Sequence, residues 1–260
     1  LIHSTLLHFV DNFLADLRHS LETSGNKLFR YRGQIPLFIF ISAIPVIFLT
    51  DYKLFNDTFY LIVTVISIVI AFLGFAIRAY TIGTTPKGTS GRNTKEQVAE
   101  SLNTKGIYSM IRHPLYLGNY LMWLGLLIFT FNGYYIIIIS LFFWLYYERI
   151  MYAEERFLER KYGEVYLKWS EQVPAFIPAF SKFVKSSIPF SLKSVLRREY
   201  SGIMAMATGY FYVDHLRNYV LNNVFEPCRI SSYALAAGIV ITLVLRTLKH
   251  SGMLNESDRS

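Results

Sequence analysis

Five side chains that can do chemistry fall into two short groups. Arg112, His113 and Tyr116 stand in Gly106-Ile-Tyr-Ser-Met-Ile-Arg-His-Pro-Leu-Tyr-Leu-Gly118, and Glu154 and Glu155 stand together beyond a long apolar stretch. A cation, an imidazole and a phenol at the mouth of an apolar helix are costly unless they have partners, so the first group invites a search for a ligand or a counter-charge. Pro114 sets the local geometry. The residue before a proline is pushed out of helical space while proline suits a helix's first turn, so His113 ends a loop and a helix starts near Leu115. Backbone N–H groups in that first turn lack helical partners and face the same mouth as Arg112, which suits a small anionic or polar ligand group. A plainer alternative has Arg112 anchoring the helix at the lipid headgroups and His113 solvated.

The elements that must position these residues are membrane helices. Hydrophobic residues make up 53% of the 260, aromatics 17%, and the long runs carry almost no charge. Mean hydropathy is +0.32. An all-α, polytopic membrane protein with about six transmembrane helices follows, since apolar runs of this length form helical spans and not a barrel. The expected spans are residues 35–50, 59–82, 115–131, 134–153, 201–219 and 230–248, the fifth weak enough to be re-entrant. Leu6, Leu7, Val10, Leu14, Leu17 and Leu21 recur at helical spacing, so residues 1–24 read as a surface amphipathic helix, with no cleavable signal evident, ending at Gly25 and Asn26. Arg78, near the end of the second span, is expected to snorkel out to water. A short polar helix is expected over residues 96–105. Asn132-Gly133 makes a tight turn between spans three and four, and that hairpin carries Glu154 and Glu155 back to the side where Arg112 sits. A charged helix continues to Lys168, and Pro174 and Pro178 stop it. Residues 179–200 mix aromatics with lysine and arginine, as an interfacial segment on anionic lipid would.

Gly-x-Tyr, Arg-His-Pro-x-Tyr-x-Gly, the apolar hairpin, Glu154-Glu155, Tyr162-Gly163-x-x-Tyr166 and Val173-Pro174 together resemble the integral-membrane methyltransferases typified by isoprenylcysteine carboxyl methyltransferase and phospholipid methyltransferase. The resemblance is strong over residues 102–178, loose over 35–101 and absent over 180–260. The residue pattern and the resemblance together divide the chain into three regions: an amphipathic helix and linker (1–34), a membrane methyltransferase core built on the hairpin (35–180), which the resemblance covers, and a basic interfacial segment with C-terminal transmembrane helices (181–260). The resemblance implies S-adenosylmethionine as donor, with Gly106, Tyr108, His113, Pro114, Tyr116, Gly118, Glu154 and Glu155 as cofactor-binding residues and Arg112, His113 and Tyr116 as the catalytic group. A carboxylate of Glu154 or Glu155 would accept from the donor's amino group or ribose, Arg112 and His113 would hold polar groups, and Tyr108, Tyr116 and Trp123 would flank the adenine.

Charge bears on the acceptor. A net charge of +8 and a pI near 9.4 could suit nucleic acid, but the basic residues flank apolar helices, as lipid anchors do, and no nucleic-acid partner is expected. Arg78, Lys87, Arg92 and Arg198 are candidate substrate-binding residues for a membrane lipid or lipidated acceptor. A carboxylate or phosphate acceptor is already ionised near neutral pH, whereas an ammonium acceptor would require a base. The basic surplus favours an anionic oxygen, such as an isoprenylcysteine-type carboxylate or a lipid A-type phosphate. Ethanolamine N-methylation is the alternative within the enzyme class, and a non-catalytic scaffold or carrier the alternative outside it. The lone cysteine, Cys228, excludes an internal disulfide, and the six histidines form no HxxxH or HExxH pattern, so no metal site is expected. The residue 83–95 stretch has no P-loop spacing and no GxGxxG follows a strand. Both termini and residues 83–115 and 154–200 hold nearly all the lysine and arginine, so by the positive-inside rule the site is expected on the cytoplasmic face of an inner or cell membrane.

Overall fold

A computed structural model describes residues 2–86, 88, 89, 97 and 99–256, with the side chains of 2–7 and 9 excepted. The described residues form eight α-helices: α1 (Ile2–Tyr31), α2 (Ile35–Leu49), α3 (Asp57–Gly83), α4 (Pro114–Ile128), α5 (Gly133–Tyr162), α6 (Glu164–Gln172), α7 (Leu192–Asn222) and α8 (Ile230–His250).

Local chemistry sets many of the boundaries. Asn56 accepts from Phe59 N at the start of α3, Asn132 from Tyr135 N at the start of α5, and Ser191 from Ser194 N at the start of α7. Each such cap satisfies an otherwise orphaned donor and contributes about 1 kcal/mol. The turn between α4 and α5 passes through Phe131 at φ 61°, and Asn132 is the cap rather than part of the turn itself. Gly163, at φ 53° and ψ −129°, lies where side chains are strained, and it breaks the charged helix expected to run on to Lys168 into α5 and α6.

Small residues let α3 and α4 pack backbone to backbone. A Cβ added at Gly74 would come within 2.6 Å of Gly118 O, and one at Gly125 within 2.5 Å of Ser67 O. Gly25 does the same for α1 against α5, where a Cβ would meet Arg149 O. Gly25 and Asn26 therefore do not end α1, which runs to Tyr31; the glycine serves a helix crossing. Residues 99–105 are irregular, so the described part of the short polar helix expected over 96–105 is absent; residues 96 and 98 lie outside the described set.

The apolar exteriors mark the solvent as lipid. On α3, Leu61 is 65% and Phe72 69% exposed, and Ile137, Ile138 and Leu141 of α5 and Leu243 of α8 are similarly bare. Such continuous faces belong in a bilayer. Helices α3, α5 and α8 are long and apolar enough to cross it, and α1 with α2, bent by 78° between them, would make a fourth span. Among the described residues length and composition thus identify three or four spans, and the expected six are not confirmed. At 15 residues α4 reaches only about 22 Å, and α7 carries charges at both ends.

Asp214 and His215 do not interrupt α7. Asp214 accepts from Arg217 (3.0 Å), Arg229 (2.8 Å) and Ser231 (2.7 Å), and the Arg217 guanidinium lies 4.4 Å from the Phe129 ring centre. Neutralised in this way, the charges let the helix continue to Asn222 and tie it to α8 and the α4–α5 turn.

Candidate active site

The Arg-His-Pro loop is held by a strap that follows α6. Gly106, at φ 63°, starts a short turn, and its N–H donates to Val184 O (2.8 Å) while Val184 N donates to Ser109 Oγ (2.8 Å). Further on, Arg112 N donates to Pro174 O (2.9 Å) and His113 N to Ala175 O (3.1 Å). Pro174 of the Val173-Pro174 motif and the residue after it, Ala175, thus supply the carbonyls that occupy these two N–H groups. Ser191 N bonds Gly83 O (2.9 Å), so the strap also reaches the end of α3. Residues 83–84, 106–113 and 172–191 accordingly share one side of the helix bundle.

His113, at φ −119° and ψ 59°, is the N-cap residue and Pro114 the first residue of α4. Its buried ring sits between two carboxylates: Nε2 is 2.8 Å from Glu155 Oε1 and Nδ1 is 3.6 Å from Glu154 Oε2. Arg112 grips Glu155 with two parallel bonds, Nε to Oε1 (2.9 Å) and Nη2 to Oε2 (3.1 Å), and donates from Nη1 to Ser170 O (2.6 Å) and Val173 O (3.1 Å). Tyr116 donates to Glu154 Oε1 (2.6 Å), and its ring stacks beside His113. Consecutive glutamates on α5 therefore have separate tasks. Glu155 binds the loop and α6 to α5, whereas Glu154 faces a cleft.

That cleft, of about 280 Å³, is lined by Arg112, His113, Pro114, Tyr116 and Glu154, and also by Tyr108, Arg78 and Arg198. Among the expected site residues Gly106, Gly118 and Glu155 do not line it: Gly106 is in the strap pairing, Gly118 faces Gly74 and the Arg78 stem, and Glu155 lies behind Arg112. Trp123 packs against Phe143 and does not line it either. Lys87 and Arg92 fall outside the described residues. Tyr162 donates to Ala99 O (2.7 Å), fixing the loop beside the cleft, and Tyr166 is buried against Trp169.

Arg78 does not snorkel. Its Nε and Nη2 donate to Glu199 Oε2 (2.9 Å) and Oε1 (2.6 Å), and Nη1 donates to Asn119 Oδ1 (2.5 Å). Glu199 is 1% exposed. Sequence reasoning missed Glu199, Asn119, Arg32, Phe29 and Phe157 as cleft residues. For Glu199 a signal existed, since it is the one carboxylate between Glu171 and Asp214. An arginine late in a spanning helix calls for such a partner.

Burial alone would lower the His113 pKa, but hydrogen bonds and charge from Glu154 and Glu155 outweigh it and the net shift is upward. A raised folded value means stability fully present below about pH 6.5 and lost as pH climbs through the higher value. Thermal unfolding of detergent-solubilised protein should therefore show a decline in stability as pH rises above about 6.5, and His113→Gln should remove that component. An identical pH profile in both proteins would refute the carboxylate clamp. Burial likewise raises the Tyr108 phenol above its usual value, so it stays neutral in the cleft.

Residues 60–165 match the family model described as phospholipid methyltransferase. The core of the chain is similar to the membrane methyltransferases. The fission yeast Schizosaccharomyces pombe has a relative named protein-S-isoprenylcysteine O-methyltransferase, 28% identical over 112 residues, 41% of this chain and 48% of that protein. The nickel-cobalt-cadmium resistance protein NccN of Alcaligenes xylosoxydans xylosoxydans is 36% identical over 98 residues, 38% of this chain and 43% of that protein. The cobalt-zinc-cadmium resistance protein CzcN of Cupriavidus metallidurans is 36% identical over 83 residues, 32% of this chain and 38% of that protein. The chain thus spans less than half the length of each of these relatives. No solved structure matches it. The family segment runs from α3 into α6 and holds the whole Arg112–His113–Tyr116–Glu154–Glu155 cluster, but not α7 with Arg198 and Glu199.

Proposed function

We propose that the chain transfers a methyl group from S-adenosylmethionine to an anionic oxygen, carboxylate or phosphate, of a lipidic acceptor held in the membrane. The observation that carries this reading is the cleft in which Glu154, Tyr116 and His113 stand beside Arg78 and Arg198 at the end of apolar helices. S-adenosylmethionine suits the donor set. Its ammonium or ribose hydroxyls call for a carboxylate, which Glu154 offers, and its adenine calls for aromatic neighbours, which Tyr108 and Tyr116 offer. When bound it would supply an electrophilic methyl group on a sulfonium centre. The chain's own residues then orient the reactants and exclude water, the two contributions that matter most for a displacement needing no acid or base.

An anionic acceptor is favoured over an ammonium one by the state of the carboxylates. Glu199 is committed to Arg78, Glu155 to Arg112 and His113, and Glu154 to Tyr116 with His113 close by. None is disposed to take a proton from an amine. The isoprenylcysteine O-methyltransferase relative supports the same direction. The family's phospholipid name keeps ethanolamine N-methylation as the second reading. The resistance proteins' names concern metals, but among the described residues no group of three or more His, Cys, Asp or Glu is arranged to hold one, and we read the shared segment as the methyl-transfer core. The basic flanks support a reading in which the cleft faces the cytoplasm.

Calorimetric titration of the purified protein with S-adenosylmethionine tests the donor assignment. Saturable binding that the demethylated product S-adenosylhomocysteine displaces is expected; no binding, with the protein folded, would contradict it. Activity toward an anionic oxygen should stay nearly flat above about pH 6, beyond the carboxyl range and the second phosphate step, until His113 loses its proton. An ammonium acceptor should instead show a rise with pH.

A further inference from the structure

We propose that Glu199, which comes from α7 outside the family segment, is a positioning residue for the acceptor: it turns the Arg78 guanidinium inward and fixes it as a fork that receives a lipid-borne anionic headgroup. The inference rests on the methyl-transfer reading given above.

The geometry has four parts. Arg78 lies late in α3, an apolar spanning helix, where an arginine without a partner extends toward the surface. Here Glu199 takes it in a two-bond pairing of 2.9 and 2.6 Å, and Asn119 takes a third N–H at 2.5 Å. Those bonds use three of the five guanidinium N–H groups, so the fork retains donors for a phosphate or carboxylate. Room for the arrangement comes from glycines on both sides: a Cβ at Gly118 would sit 2.5 Å from Arg78 Cγ, and one at Gly202 3.2 Å from Glu199 Oε2.

Its position relative to the donor residues matters as much. Tyr116, bonded to Glu154, and Asn119, bonded to Arg78, are three residues apart on α4 and so share a face, separated by about 4.5 Å along the axis. Asn119 is the deeper of the two from the loop end of α4. The carboxylate suited to the cationic donor and the guanidinium suited to an anionic acceptor are therefore neighbours in one cleft, with the acceptor end nearer the membrane. Glu199 also makes α7 part of the reaction unit, since both it and Arg198 line the cleft.

The test measures binding of two anionic probes in mixed micelles, dihexanoyl phosphatidic acid for a phosphate and N-acetyl-S-farnesylcysteine for a carboxylate. Donor affinity is measured in parallel by calorimetry. Glu199→Gln and Arg78→Lys should each weaken binding of the probe that wild type takes by about tenfold or more, the effect of one lost charge-assisted hydrogen bond, with donor affinity held within about twofold. Glu199→Asp should recover part of the loss. The sign is informative. A carboxylate that only neutralised Arg78 would leave, once changed to glutamine, a bare cation and tighter probe binding, and that result would overturn the proposal. So would unchanged probe affinity, or donor affinity falling in step. If Glu199→Gln does not fold, Arg78→Lys and Asn119→Ala decide by the same readout. Wild-type protein that binds donor but neither probe would sink the anionic-acceptor reading itself and this inference with it, whereas wild-type binding with indifferent variants sinks the inference alone.

Discussion

Replacing Glu155 with glutamine should reduce turnover by roughly two orders of magnitude, while donor affinity changes much less. One carboxylate holds both bonds of the Arg112 fork and the Nε2 side of His113. Removing one member of a buried pair typically costs about 3–5 kcal/mol, because the remaining charge is left uncompensated. Side-chain exposures of 17% for Arg112 and 23% for Glu155 mean that water screens part of this, and the lower end applies. About 3 kcal/mol expressed in the barrier is a factor of roughly one hundred. Glu155 does not line the cleft, so the loss should come from misplaced Arg112 and His113 rather than from a missing contact to the donor. The measurement is kcat under saturating donor, with size-exclusion behaviour as a check on folding. A folded Glu155→Gln variant within about fivefold of wild type would contradict the assignment, since positioning errors at a reacting centre ordinarily cost far more.

Glu154→Gln should behave differently. Here the expected loss is in donor affinity, by about 1.5–3 kcal/mol, the range for a hydrogen bond to a charged group, or roughly tenfold to a hundredfold in Kd. Fold stability should change little, because the amide oxygen of glutamine still accepts from Tyr116, whose phenol now meets Glu154 at 2.6 Å. Calorimetry with S-adenosylmethionine is the direct readout. Equal donor affinity in wild type and Glu154→Gln would remove this carboxylate from the donor end. Equal losses in Glu154→Gln and Glu155→Gln would show that the two neighbours are not divided in the way their contacts suggest.

The elements set by local chemistry were legible in the sequence. Pro114 announced the start of α4 and the non-helical His113 before it, and the apolar runs on either side of Asn132 announced the hairpin that returns Glu154 and Glu155 to the Arg-His-Pro loop. Other features depend on contacts between distant residues. Gly25 and Asn26 read as a helix end by composition, yet α1 continues, and Gly25 packs directly against the α5 backbone at Arg149. Arg78 read as a snorkelling cation because nothing within α3 opposes it; its partner, Glu199, lies 121 positions along the chain. Val173-Pro174 was visible as a motif, but its use, a Val173 carbonyl for the Arg112 guanidinium and a Pro174 carbonyl for the Arg112 N–H, follows only from the strap's path. Residues 192–222 misled for a related reason. Their charges suggested a surface segment and a broken span, whereas ion pairs at each end, Glu199 with Arg78 and Asp214 with Arg217 and Arg229, allow a single helix.

The central claim is methyl transfer to an anionic oxygen on a membrane lipid. It is tested most directly by incubating membranes that contain the protein with methyl-labelled S-adenosylmethionine, extracting the lipids, and treating the labelled product with mild base. Label is expected in the lipid fraction and should depend on Glu155, with methanol released readily from a carboxyl ester or more slowly from a phosphate ester. Base-stable label on an ethanolamine headgroup, or no label above that of the Glu155→Gln variant, would contradict it.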